Sequence, residues 1–290
     1  MRTPFTGVGT ALVTPFRSDG SVDEPAVKRL ARRQIDAGIH FLCPCGTTGE
    51  APTLSHREKL RICELVVEEA NGEVPVLAGA GGYDTREVSE MARELERVGV
   101  DGLLSVTPYY NKPTQEGLFQ HYKAIAESSP LPIVLYNVPG RTGVNMEPAT
   151  VVRLAQIPTI VAVKEASANV VQMTEIIANA PADFILVSGA DPLRVAVMGI
   201  GGQGVISVAS YEAPAEMVQI VELCEKGDFA AARKLHHWLL PLIQVNFVES
   251  NPIPCKAAMA AMGLIEEHYR LPLVPPGPPR RASSTAGGCA

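Results

Sequence analysis

Short apolar runs alternate with amphipathic segments along most of this chain, and this alternation constrains the fold more than any other feature. Each run is followed by a loop containing Gly, Pro or Thr and then by a segment with apolar residues at helical spacing. The eight runs are Val8 to Val13, Ile39 to Cys43, Val74 to Leu77, Gly102 to Val106, Pro132 to Tyr136, Ile160 to Val163, Phe184 to Val187 and Gly204 to Val208. Strands that alternate with helices in this way form parallel sheets.

Helix start signals follow three of these runs. Ser21, Ser55 and Asp84 each precede a Glu by three residues, which is the spacing of a capping box. In a capping box the first side chain accepts a hydrogen bond from a helix N–H, and the Glu side chain accepts one from the backbone of the first residue. The sequence therefore predicts helices that begin near these three positions.

The number of runs distinguishes two α/β architectures. Eight strand–helix units fit a TIM (β/α)8 barrel, whereas an open doubly wound sheet generally has fewer strands and a dinucleotide loop after the first. We predict an α/β chain with this barrel over residues 1–225 and a C-terminal helical extension over 226–270, packed on the barrel or on a partner. Residues 271–290 contain five prolines and few apolar residues, so we predict a disordered tail there.

Charge and hydropathy argue against several function classes. The formal net charge is -6 and the isoelectric point is near 5.6, so the chain has no excess of Lys and Arg for nucleic acid or an anionic membrane. No apolar stretch approaches the roughly 20 residues that span a bilayer, and the first residues lack the apolar core of a signal peptide. We expect a cytoplasmic protein with no nucleic-acid partner and no membrane partner.

Neither the cysteines nor the glycine motifs indicate a bound cofactor. The six cysteines are dispersed, without the paired spacing of a zinc site or the pattern of a disulfide framework. Residues 199–204 match the GxGxxG pattern, but they precede an apolar run, whereas a dinucleotide loop follows a strand and opens a helix. The sequence therefore predicts no metal site and no nucleotide site.

Lys164 terminates the apolar run of the sixth unit, where a charge has no evident structural purpose. A lysine attacks a carbonyl only as the free amine, and burial lowers the pKa of lysine from its ordinary value of about 10.4. A lysine at a strand end can also extend to solvent or pair with a carboxylate such as Glu165. Taken alone, this residue leaves both interpretations open.

Polar residues gather after the apolar runs, at the end of the barrel where (β/α)8 enzymes have their active sites. Besides Lys164 itself, five segments contain them: 45–50, 107–113, 135–143, 188–191 and 206–210. The opposite ends of the strands carry mostly Pro, Gly and Asp turn residues. This convergence on one face favours a catalytic lysine.

The residues around Lys164 supply what imine chemistry requires, namely a proton relay and donors for a substrate carboxylate. Tyr136 has a hydroxyl on the neighbouring strand, and Thr47 and Thr48 lie between glycines that expose backbone N–H groups. Arg141 offers a planar fork of two donors for a second carboxylate. The alternatives are aromatic packing at the barrel rim for Tyr136 and a surface ion pair for Arg141.

Five motifs occur in order at the predicted strand ends. They are GTTGE at 46–50, TPYYNKP at 107–113, YNVPGRTG at 136–143, VKEAS at 163–167 and GVISVAS at 204–210. On these motifs the chain resembles the dihydrodipicolinate synthase family of the lysine-dependent aldolase superfamily. The resemblance implies Schiff-base condensation of pyruvate with L-aspartate 4-semialdehyde to 4-hydroxy-tetrahydrodipicolinate, at the entry to diaminopimelate and lysine biosynthesis, with no cofactor and no metal.

The resemblance also implies a role for each candidate residue. The implied catalytic residues are Lys164, which forms the imine with pyruvate, and the proton relay of Tyr136, Thr47 and Tyr110. The implied substrate-binding residues are Thr48 for the pyruvate carboxylate, Arg141 for the semialdehyde carboxylate, and Gly189 and Ile206, whose backbone lines the pocket.

Tyr110 links the implied mechanism to oligomerisation. In the family that the chain resembles, the second tyrosine of the PYY motif enters the active site of the neighbouring subunit. We therefore expect a homo-oligomer that is at least a dimer, with a tetramer as the family norm. Aromatic packing at the rim is the alternative for Tyr110.

Position 83 bears on regulation. In members of the family that are inhibited by lysine, an asparagine occupies the position of Tyr83, so we predict that lysine inhibits this chain weakly or not at all.

Two rival functions stay open on the sequence. A related pyruvate-dependent aldolase, acting on N-acetylneuraminate or a 2-keto-3-deoxy sugar acid, would use the same lysine and tyrosine, but such relatives generally lack the arginine at position 141. A non-catalytic barrel that binds a keto acid would keep the pocket without needing an activated amine. Trapping of the imine distinguishes the second rival, and a comparison of aldehyde substrates distinguishes the first.

Overall fold

Eight parallel strands surround a common axis in the computed structural model, which describes residues 5–277. They are β1 (Gly7–Ala11), β2 (Phe41–Cys43), β3 (Leu77–Gly79), β4 (Gly102–Val106), β5 (Ile133–Asn137), β6 (Ile160–Glu165), β7 (Ile185–Ser188) and β8 (Gly204–Ser207). Their order is β2-β1-β8-β7-β6-β5-β4-β3, and a parallel bridge between Leu42 and Val76 brings the two ends together. The predicted TIM barrel is therefore confirmed.

The side chains of each strand alternate between the barrel interior and the layer beneath the helices. Val134, Tyr136 and Ala162 belong to the interior cluster, whereas Leu135 and Val163 belong to the outer core. This alternation follows from the two-residue period of a strand, and it explains why the strands read as continuous apolar runs. Each position along a strand thus determines whether its side chain can reach the barrel mouth.

Helices follow the strands and cover the barrel. They are α1 (Glu24–Asp36), α2 (His56–Ala70), α3 (Thr85–Val98), α4 (Gln115–Ser128), α5 (Pro139–Thr142), α6 (Pro148–Leu154), α7 (Val170–Asn179), α8 (Arg194–Gly199), α9 (Pro214–Glu225), α10 (Phe229–Val245) and α11 (Ile253–Ala261). None of the helices within residues 5–277 is both long and apolar enough to cross a membrane.

The three predicted capping boxes differ in outcome. At Ser55 both hydrogen bonds of the box are present. Asp84 caps α3 by accepting from the backbone of Arg86 and Glu87. The box predicted at Ser21 is wrong, because α1 is capped by Asp23, whose side chain accepts from the N–H of Ala26. The next helical positions include a proline, which suits the first turn because its missing N–H would have no partner there.

The third strand lies later in the chain than the apolar run at 74–77 predicts. Within this run Pro75 has no N–H for a ladder, although its carbonyl accepts from Leu42 at 2.9 Å. The strand ends at Gly79, where only glycine fits because an added Cβ would lie 2.0 Å from the carbonyl oxygen of Cys45. The strand therefore extends two residues beyond the predicted run, to a glycine that apolar composition does not identify.

Beyond the barrel, α10 packs on α8 and α9, and α11 packs on the 3-10 turn Ala209–Tyr211. Arg270 then reaches back to the barrel, with its guanidinium donating to Glu58 and to the carbonyl of Gly20. The domain limits given above stay a prediction. Of the predicted tail, residues 278–290 lie outside the described part of the chain.

Candidate active site

Lys164 and Tyr136 face each other across two neighbouring strands at the mouth of the barrel. The ladder between β5 and β6 pairs Tyr136 directly with Lys164. The amine nitrogen lies 4.2 Å from the centroid of the phenol ring, and the two residues are 6% and 7% exposed. The amine is therefore enclosed beside a hydroxyl-bearing ring and does not extend into solvent.

Glu165 lies on the opposite face of β6, so it is not a counter-ion for the neighbouring lysine. Its carboxylate accepts hydrogen bonds from the Asn137 side chain at 3.0 Å, the Gln172 side chain at 3.1 Å and the Ser167 N–H at 2.7 Å. These partners belong to the layer between strand and helix. The ion-pair interpretation of Lys164 with Glu165 is therefore wrong.

A cavity of about 380 Å³ opens above these two side chains. Of the predicted site residues, seven line it: Thr47, Thr48, Tyr136, Arg141, Lys164, Gly189 and Ile206. They come from the ends of five strands, β2, β5, β6, β7 and β8, and from α5, which is what the barrel topology predicts for residues at the carboxyl ends of the strands. The cavity combines an amine, a phenol, two hydroxyls and a guanidinium.

Tyr110 does not join this group within its own chain. Its side chain is 90% exposed, and its φ of +61° lies in the left-handed region, which a tyrosine rarely adopts. Its neighbour Tyr109 lines a second cavity of about 260 Å³ that shares Thr47, Tyr136 and Arg141 with the first. The predicted relay is thus incomplete in the single chain.

Asn251 is a site residue that the sequence analysis missed. Its side-chain amide donates to the hydroxyl of Thr48 at 2.9 Å, and its carbonyl accepts from the guanidinium of Arg141 at 3.3 Å. Asn251 also lines the first cavity. The signal available was the pair Pro252 and Pro254, which interrupts the helical pattern directly after a polar residue.

Gly189 makes room for the lysine side chain. A Cβ at this position would lie 3.2 Å from Cε of Lys164 and 2.6 Å from Cβ of Ala166. The residue is fixed by its N–H, which donates to the carbonyl of Glu165 at 2.8 Å. Any side chain here would displace Lys164 or the strand end that carries it.

The cysteines near the site are buried thiols. Burial raises the pKa of the Cys43 thiol to about 12, although the charge of Lys164 acts in the opposite direction. Cys45 and Cys63 have their sulfurs 3.9 Å apart, and this contact together with burial raises the pKa of Cys63. His40 is occupied in accepting from the N–H of Val8 at 3.1 Å. The raised pKa values make Cys43 and Cys63 poor nucleophiles at neutral pH.

A buried lysine beside a phenol, at the carboxyl end of a closed (β/α)8 barrel, defines an enzyme of the class I aldolase type. A comparison with known families makes the assignment specific, because the model of the dihydrodipicolinate synthetase family matches residues 4–282. The chain belongs to this family. The predicted family and enzyme class are therefore confirmed.

Individual relatives support the same assignment. A 4-hydroxy-tetrahydrodipicolinate synthase from Koribacter versatilis is 53% identical over 277 residues, which cover 95% of this chain and 92% of the relative. The crystal structure of dihydrodipicolinate synthase from Thermotoga maritima matches with a TM-score of 0.93 at 44% identity, covering 95% and 94% of the two chains. A structure described as a monomeric dihydrodipicolinate synthase variant matches with a TM-score of 0.92 at 44% identity, covering 94% and 92%. These similarities confirm the predicted 4-hydroxy-tetrahydrodipicolinate synthase function.

Proposed function

We propose that this chain condenses pyruvate with L-aspartate 4-semialdehyde through an imine on Lys164. The observation that carries the proposal is the enclosed amine, whose nitrogen lies 4.2 Å from the ring of Tyr136. Within residues 5–277 this amine has no carboxylate in salt-bridge contact. An amine in that setting, beside a phenol, is suited to attack a carbonyl and to exchange protons with its oxygen. The net charge of -6 and the lack of a recognisable metal or dinucleotide motif in the sequence are consistent with an enzyme that acts on small molecules in the cytoplasm.

The reaction begins with attack of the amine on the keto carbon of pyruvate. The resulting carbinolamine loses its oxygen as water once a proton has been delivered to it, which leaves the imine. Loss of a methyl proton then gives an enamine, and its carbon attacks the aldehyde of the second substrate. Attack by the amino group of that substrate closes the ring and releases Lys164. Tyr136 and Thr47 line the same cavity and would move the protons in these steps.

Two groups in the cavity suit the carboxylates of the substrates. The loop 46–50 presents the hydroxyl of Thr48 and backbone N–H groups, which together suit the carboxylate of pyruvate. Arg141 presents its guanidinium at the cavity wall and would bind the carboxylate of the semialdehyde in a two-donor arrangement. Gly189 and Ile206 would complete the wall around the bound pyruvate.

The relay would be completed by Tyr110 from a second copy of this chain. Its ring is almost fully exposed, and the second cavity borders both Thr47 and Tyr136. A tyrosine entering from a partner would therefore reach the side chains with which it must exchange protons. We propose a dimer as the catalytic unit and a dimer of dimers as the complete assembly.

Borohydride trapping tests the central proposal. With pyruvate and borohydride, the imine is reduced to an N-(1-carboxyethyl) group, which mass spectrometry of proteolytic peptides should locate on Lys164. Lys164→Ala is the control and should give no adduct. Absence of an adduct on the unmodified chain would contradict the proposal and favour the non-catalytic barrel that binds a keto acid. If bound pyruvate reacts faster with a sugar-type aldehyde than with aspartate semialdehyde, the second substrate is wrong.

Complementation between variants tests the role of Tyr110. Lys164→Ala and Tyr110→Phe should each be poorly active alone, whereas mixed dimers would contain one complete site. Unfolding and refolding the two variants together should therefore restore activity. Lys164→Ala mixed with Tyr136→Phe is the matched control. Each of these substitutions damages the cavity of the subunit that carries it, so a mixed dimer contains no complete site. Equal activity of the two mixtures would contradict the proposal.

A further inference from the structure

A fully buried ion pair lies directly behind the loop that carries Thr47 and Thr48. The Nζ atom of Lys256, from α11, is 2.5 Å from Oε1 of Glu50, and neither side chain has any exposed surface. The same Nζ atom donates to the carbonyl of Thr14 at 3.1 Å. Glu50 and Lys256 are separated by 206 residues along the chain, so this contact joins the barrel to the C-terminal helices.

Stability alone does not account for this pair. Removing two charges from water is costly, and apolar replacements of buried ion pairs are often neutral or stabilising. Burial lowers the pKa of Lys256, and the attraction of Glu50 acts against that shift. The ammonium also lies 4.5 Å from the ring centroid of Phe16 and 5.1 Å from that of Tyr269. Because the Lys256 ammonium is enclosed on all these sides, it holds the carboxylate of Glu50 at hydrogen-bond distance.

The partner that it fixes is the end of a strained loop. The φ of Glu50 is +54°, in the left-handed region that a residue with a side chain rarely adopts. Its N–H donates to the carbonyl of Thr47 at 3.1 Å, which closes the turn, and its second carboxylate oxygen accepts from the N–H of Arg270 at 3.3 Å. The C-terminal segment therefore holds the carboxylate from two sides while the turn presents Thr47 and Thr48 to the cavity.

The same C-terminal segment touches the cavity wall a few residues earlier. Asn251 donates to the hydroxyl of Thr48 and accepts from Arg141, as described above. Five residues later Lys256 anchors the segment on Glu50. One short stretch of chain is thus attached to both groups that would bind substrate carboxylates and to the buried end of the loop that holds one of them.

We infer that Glu50 and Lys256 are positioning residues that hold the Thr47–Thr48 loop in the geometry that binds the carboxylate of pyruvate. The inference rests on the proposed function of that loop. Neither side chain lines the first cavity, so both act through the backbone of residues 46–50 and not on substrate. Their loss should weaken pyruvate binding more than it impairs the chemistry on Lys164.

The test replaces the pair by neutral side chains of similar size. Glu50→Gln with Lys256→Met avoids leaving one buried charge alone, which single substitutions would do. The rate of adduct formation with borohydride is measured against pyruvate concentration, together with thermal unfolding. We expect the half-saturating pyruvate concentration to rise about tenfold, which is about 1.4 kcal/mol of binding, while the adduct still forms completely at saturation. If the double variant does not fold, Glu50→Asp gives the same measurement, because it keeps both charges and shortens the side chain that anchors the loop by one methylene group.

Glu58→Gln is the matched control, because it removes an ion pair to Arg270 from the same C-terminal segment without touching the loop. It should lower thermal stability and leave the half-saturating concentration unchanged. An unchanged concentration in the folded double variant would overturn the inference. So would an equal shift in Glu58→Gln, since that would indicate general loosening. Failure of the unmodified chain to form any adduct would refute the proposed function itself, and the inference with it.

Discussion

Replacing Gly189 by alanine adds only one methyl group, but it should impair catalysis strongly. The new Cβ would lie 2.6 Å from Cβ of Ala166 and 3.2 Å from Cε of Lys164. Carbon atoms pack favourably at about 3.5 to 4.0 Å, so one of these groups must move by roughly 1 Å. The Ala166 contact involves a side chain with no freedom to rotate away, so the strand end or the lysine must yield.

A shift of about 1 Å in a reacting group can cost on the order of 100-fold in rate. We therefore expect kcat/KM of Gly189→Ala to fall by about this factor, with a loss of about 1 to 3 kcal/mol in the free energy of unfolding. The assay combines steady-state rates, chemical denaturation and the rate of adduct formation on Lys164. Gly199→Ala is the control, because its new Cβ would make only an ordinary contact, 3.8 Å from Phe229. A Gly189→Ala enzyme with kcat/KM within about threefold of the parent would refute the steric reasoning.

Three further predictions concern the relay, pH and regulation. Tyr136→Phe keeps the ring beside Lys164 but removes the hydroxyl, so steady-state kinetics should show kcat reduced by about 100- to 10,000-fold; a loss below about tenfold would exclude Tyr136 from the relay. The hydrogen bond from Arg270 lowers the pKa of Glu58 to about 2 from 4.5, so its stabilisation is present above pH 4.5 and lost as the pH falls towards 2. Urea unfolding should accordingly show Glu58→Gln destabilised at neutral pH and nearly equal to the parent near the acid limit, and a difference independent of pH would contradict the linkage. Tyr83, whose ring packs edge-on against Tyr109 at 5.2 Å between centroids, stands where lysine-inhibited members of the family have an asparagine. We therefore expect initial rates to show weak or no inhibition by sub-millimolar lysine, and a clear decrease would refute this.

The barrel could be predicted from the sequence because its determinants are local. Seven of the eight apolar runs overlap their strands closely, and alternation alone places Tyr136 and Lys164 on one face with Glu165 on the other. The third strand lies later than its apolar run because Pro75 has no N–H for a strand ladder. The strand also includes Gly79, where the nearby carbonyl of Cys45 leaves no room for a side chain. Close approach between distant backbone atoms leaves no periodic signal.

The site was predictable only where its residues follow strands. Thr47, Thr48 and Arg141 stand directly after apolar runs, so topology brings them to the cavity. Asn251 and Lys256 reach the same region through contacts across about two hundred residues, and their segment looks like ordinary polar surface between helices. Their function depends on tertiary packing that no short pattern encodes.

The attachment of residues 251–256 to the mouth of the barrel has a consequence for biosynthesis of the polypeptide. All eight strands are present once translation has passed Ser207, yet the wall around Thr48 and Arg141 still lacks Asn251. A nascent chain can therefore form all eight barrel strands before the residues that complete the pocket wall have been synthesised. Competence to bind substrate therefore arrives only after residues 251–256 have also emerged and packed against the barrel.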